Sequence, residues 1–93
     1  METPWTPEKD VSVTENGMVI RIAVDTIREE DLEIVVDQTT KPTCLIVSGH
    51  CDDLGSFETR TQVPSGFNPD RAKAHLKHGI LCVEIPSKPS RAD

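Results

Sequence analysis

Apolar and polar residues alternate along most of this chain with the period of two that a half-buried strand requires. Val11 and Val13 alternate with Ser12 and Thr14; Met18, Ile20, Ile22 and Val24 alternate with Val19, Arg21 and Ala23. Glu15-Asn16-Gly17 between them reads as a turn, so the two runs predict a hairpin. Leu32, Ile34 and Val36 repeat the alternation against Glu33 and Val35. Residues 44–49 form an apolar run ended by glycine, and residues 57–63 an extended threonine-rich segment closed by Pro64 and Gly66.

The last hairpin has the sharpest signal. A two-residue turn at His78-Gly79 sets Lys77 opposite Ile80, Leu76 opposite Leu81 and His75 opposite Cys82. Ile80, Cys82 and Glu84 then share one face and Leu81, Val83 and Ile85 the other, until Pro86 removes a ladder donor. The helical candidates are single turns near residues 28–31 and 69–72. Seven or so short strands separated by turn signals predict an all-β sandwich.

Length and charge narrow the function. Ninety-three residues suit one domain with a modest two-layer core. A net charge of −6 disfavours nucleic acid as the partner, and no apolar run reaches the roughly 18–20 residues that span a bilayer. The first ten residues read as neither a signal nor a transit peptide. Three cysteines without export features read as reduced thiols in a cytoplasmic protein. Residues 8–37 hold nine acids against three bases, whereas residues 71–91 hold five bases against Glu84. That asymmetry fits two solvated faces or, more sharply, head-to-tail self-association.

Catalytic chemistry is not expected. Ser48-Gly49-His50 lacks a nucleophile-elbow pattern, both glycine-rich phosphate motifs are absent, and Glu29-Glu30 and Asp52-Asp53 fall in turns as solvated carboxylates. His75, His78 and Cys82 lie within eight positions and His50-Cys51 adds two more ligand types, yet no Cys-x-x-Cys or His-x-x-x-His knuckle occurs. No metal and no cofactor are therefore expected. Cys44 and Cys82 read as small buried hydrophobes, and Cys51, beside Asp52-Asp53, as exposed and oxidisable but not activated.

Gly55-Ser56-Phe57, the run from Val63-Pro64 to Asp70, Ala74-x-x-x-x-Gly79-Ile80-Leu81 and Val83-Glu84-Ile85-Pro86 follow one another without a gap. This order resembles the α-crystallin domain of small heat shock proteins (the Hsp20 family), with its G-x-F, L-P, A-x-x-x-x-G-x-L and V-x-I-P elements. Glu29 to Val36 resembles the family's E-D-I-x-V-x-V strand, and Leu45 to Gly49 its L-x-I-x-G. The resemblance implies an immunoglobulin-like β-sandwich of seven to eight short antiparallel strands over residues 10–86, flanked by flexible residues 1–9 and 87–93. Phe57, Pro64, Ala74, Gly79 and Leu81 are its structural motif residues, and Ile34, Val36, Ala74 and Leu76 would line its client groove. The function implied is ATP-independent holding of partly unfolded proteins. The alternative is a partner-binding module of the p23/CS type without holdase activity.

The departures bear on assembly. Asp25-Thr26 replaces the family's Pro-Gly, Thr59 stands at its usual arginine with Arg60 one place later, Thr61 replaces a common aromatic and Ala72 an isoleucine. Residues 50–56 leave no room for the long strand-swapping loop of bacterial and plant members. The tail lacks an Ile-x-Ile/Val anchor, and Trp5 is the one aromatic of the N-terminal segment. A monomer or weak dimer, paired edge to edge, is expected in place of a large assembly.

Overall fold

The computed structural model describes residues 6–24, 27–51 and 55–88. Trp5, Asp25-Thr26, Asp52-Asp53 and residues 89–93, named above, lie outside them. Seven strands occur among the described residues: β1 (Lys9–Thr14), β2 (Gly17–Ala23), β3 (Leu32–Asp37), β4 (Thr43–Cys51), β5 (Gly55–Val63), β6 (Lys73–Lys77) and β7 (Ile80–Pro86). They form two antiparallel sheets, one in the order β1-β2-β7-β6 and the other in the order β3-β4-β5. Single 3₁₀ turns at Glu29–Asp31 and Pro69–Arg71 precede β3 and β6, as expected.

The alternating residues become the core. Met18, Ile20 and Ile22 of β2 and Leu81, Val83 and Ile85 of β7 face Leu45 and Val47 of β4 and Phe57 and Val63 of β5, all buried. Each such side chain contributes about 1.5–3 kcal/mol by leaving water, and no buried side-chain nitrogen or oxygen among the described residues lacks a partner. Two turns fix the registers. Across β6 and β7, Lys77 pairs with Ile80, Leu76 with Leu81 and His75 with Cys82, as read from the sequence. His78 and Gly79 both have positive φ (53° and 77°), the geometry of a type I′ turn. Thr14 pairs with Gly17, so Glu15 and Asn16 are the turn and Gly17 begins β2. A Cβ there would come within 2.5 Å of the Ile85 carbonyl oxygen, so close approach of β7 is what requires glycine.

All three cysteine readings are corrected. β4 runs two residues beyond Gly49, with Cys51 paired to Gly55, so only residues 52–54 join β4 to β5. Leu45, Val47 and Cys51 share the parity that faces the core: Cys51 is buried and Cys44, on the opposite face, is half-buried. Cys82 is also half-buried, on the outer face of β7. In native protein, Cys44 and Cys82 are therefore expected to react with an aromatic disulfide reagent before Cys51; Cys51 reacting first would contradict this burial.

Packing also extends past the expected ends of the domain. Pro7 is buried, the Glu8 carbonyl accepts from the Ala23 amide at 2.9 Å, and Lys9 already belongs to β1. At the other end the Ser87 hydroxyl donates to the Glu15 carbonyl at 2.9 Å and the Lys88 amide to that of Gly66, also at 2.9 Å. Asp37, at the end of β3, accepts from the Thr39 hydroxyl and, at 3.0 Å, from the Thr39 amide. These bonds hold its carboxyl below the usual carboxylate range, so their contribution persists at neutral pH and fades as acid protonates the group.

Candidate functional site

The sheets are unequal, four strands over three, and their edges meet differently on the two sides. On the β1/β5 side Lys9 closes the gap: its Nζ donates to the Arg60 carbonyl at 2.9 Å and to Thr61 Oγ1 at 3.1 Å. On the β6/β3 side a groove of about 240 Å³ stays open. Leu32 and Ile34 of β3 form one wall, Ala74 and Leu76 of β6 the other, and Leu81 of β7 also lines it. Glu29 and His75 complete the lining and give it a polar rim. The space is smaller than the roughly 300–1,000 Å³ of small-molecule pockets, and suits one or two aliphatic side chains.

Backbone geometry explains what such a groove can hold. Lys77 and Ile80 flank a two-residue turn and exchange hydrogen bonds, so Lys73, His75 and Lys77 bond to β7. Ala74 and Leu76 then aim their amides and carbonyls at the free edge while their side chains face inward. An added strand can pair with those groups and insert alternate side chains into the groove.

Of the expected groove residues, the structure brings together Ile34, Ala74 and Leu76. Val36 is not in the lining; it is half-buried and packs against the core, and Leu32 takes the place beside Ile34. Ile34 is more than one third exposed, so it is not a core residue. Sequence reading missed Leu32, Glu29 and His75. Leu32 was detectable as the first apolar residue of the β3 alternation, whereas Glu29 depends on how the 3₁₀ turn approaches β6.

The motif residues are spread through the fold. Phe57 and Leu81 are buried, Ala74 lies on the groove wall, and Gly79 completes the turn. Pro64 leaves β5 and its carbonyl accepts from the Phe67 amide at 3.2 Å. Thr59 and Thr61 face inward on β5, while Arg60 faces out and its Nε donates to Glu58 at 3.1 Å. His75 faces Cys82 as expected, His78 sits in the turn, and His50 Nδ1 lies 3.2 Å from Ser56 Oγ. Among the described residues no three His, Cys, Asp or Glu side chains gather where a metal ion could sit. Nor is any helix there long and apolar enough to cross a membrane.

Comparisons with known proteins bear on the family and the fold. The family model described as Hsp20/alpha crystallin family matches residues 10–93. A chloroplastic small heat shock protein of Solanum lycopersicum is 25% identical over 92% of this chain, which spans only 39% of that relative. A small heat-shock protein from Xylella fastidiosa, described as having a distinct high order structure, superposes with a TM-score of 0.86 at 23% identity, covering 98% of this chain and 94% of that one. The hspA protein of Xanthomonas axonopodis gives 0.81 at 22% identity, covering 96% of this chain and all of that one (100%).

Proposed function

The chain belongs to the Hsp20/alpha crystallin family, and from that premise we propose that it is an ATP-independent holdase. It binds partly unfolded proteins through the β6/β3 groove. The observation that carries this reading is the groove itself, an apolar slot between two edge strands with backbone groups free on β6. A holdase requires apolar surface available on a charged, self-supporting scaffold, and no catalytic group. Clients with alternating aliphatic side chains in an extended segment suit it. Cys44, Cys51 and Cys82, all as thiols, support a reducing compartment, the cytoplasm in this reading.

The protein acts as a monomer or weak dimer. The connection between β4 and β5 supports this, since three residues are too few for an additional strand to exchange with a partner. The same feature favours a second reading, a p23/CS-like module that docks on one partner and protects no client. Heating a labile enzyme with stoichiometric protein and no ATP separates the two. Suppressed light scattering is the expected result; unchanged scattering at several-fold excess would reject the holdase reading.

A further inference from the structure

β1 is the outermost strand of the four-stranded sheet, and among the described residues nothing pairs with its outer edge. Val11 lies opposite Ile20 and Val13 opposite Met18, so both valines share the core-facing side of the sheet. Yet they are 41% and 61% exposed, Val13 the most exposed large hydrophobic residue described. The reason is width: the opposing sheet ends at β5, and β1 overhangs it, with Lys9 reaching across.

The backbone of β1 is set for pairing. Thr14 and Gly17 flank the two-residue turn and Glu8 bonds to Ala23, so the even-numbered residues of β1 bond to β2. Lys9, Val11 and Val13 aim their amides and carbonyls at the open edge. Two other edges are blunted, β5 by Glu58, Arg60 and the Lys9 ammonium on its backbone and β3 by Glu33 and Asp37, while the β6 edge belongs to the client groove. β1 has four consecutive uncharged residues, Val11 to Thr14.

We propose that this edge is occupied by β1 of a second copy, antiparallel, with Ser12 on the two-fold axis. This register sets Val11 against Val13 of the other copy twice, joining the two exposed shelves. It also sets Lys9 opposite Glu15 twice, so the charges are complementary. Moving the axis to Val11 loses the Lys9–Glu15 match, and moving it to Asp10 stacks two like charges. The pairing deepens the weak-dimer reading by naming its edge and register.

Ser12→Cys in a background of Cys44→Ser and Cys82→Ser tests it. On the axis the two Ser12 Cα atoms stand about 4.5 Å apart, within disulfide reach, whereas an Asp10→Cys control lies four residues from its mate. Under mild oxidation Ser12→Cys is expected to give a covalent dimer and Asp10→Cys none. Glu15→Lys, which sets lysine against Lys9, is expected to raise the dissociation constant of the unlinked dimer about tenfold. A protein that stays monomeric by light scattering at millimolar concentration, or dimerises without the Ser12→Cys link, overturns the proposal. A client assay on the same samples keeps the readings apart. Lost protection with the link intact rejects the holdase alone; protection by a protein that never links rejects this pairing alone.

Discussion

Alanine at Ile20 is expected to lower the free energy of unfolding by about 2–5 kcal/mol. Ile20 is fully buried at the centre of β2, paired with Val11 on one side and Val83 on the other. Removing three carbons there leaves a cavity that two hydrogen-bonded neighbours prevent from collapsing. Small domains hold roughly 5–15 kcal/mol, and each kilocalorie moves the midpoint of a domain this size by about 4–8 °C. A fall of at least 8–10 °C in the thermal midpoint is therefore expected. Val13→Ala removes carbons from a residue of the same facing parity, yet at monomer concentrations it should change stability by no more than about 0.5 kcal/mol. If calorimetry found the two changes equal, the four-over-three sandwich with β1 overhanging would be wrong.

That contrast between Ile20 and Val13 also marks what alternation can and cannot convey. The period of two tells which side chains share a face, and it placed β2 and β7 correctly; the His78-Gly79 turn then set His75 of β6 opposite Cys82. It does not tell how wide the facing sheet is. Val11 and Val13 carry the same inward signal as Ile20, but only the three-strand width of the other sheet leaves them uncovered. The cysteines were misplaced for a related reason. Gly49-His50-Cys51 contains a glycine and two polar-looking neighbours, which read as the end of a strand, and the pairing that prolongs β4 is with Gly55, a long-range partner. Once β4 reaches residue 51, parity with Leu45 buries Cys51 and turns Cys44 outward. The groove was legible as two strands, β3 and β6, and three of its residues. Which of Leu32 and Val36 lines it depends on how the sheets slide along each other, and local sequence carries no signal for that.

Glutamate at Leu76 is expected to weaken client protection about 10–100-fold. Leu76 lines the groove beside Leu81 and Ile34, and its backbone faces the edge where an added strand would pair. A carboxylate there must stay hydrated, so it denies the slot to an aliphatic client side chain that would gain about 1.5–3 kcal/mol by entering. Converted to affinity, that is a 10–100-fold loss, read as the excess of protein needed to suppress light scattering. Leu76 also packs against the core, so a destabilised fold could produce the same result. Ala74→Glu removes that ambiguity, because Ala74 is exposed, lines the same groove and gives up no core contact. Ile34→Glu does the same from the β3 wall. If all three variants unfold at or near the wild-type temperature, or Ala74→Glu and Ile34→Glu alone do, and protection falls with them, clients bind between β3 and β6. Full protection by Ala74→Glu and Ile34→Glu would move the client surface elsewhere, and the exposed valines of β1 would be the next place to substitute.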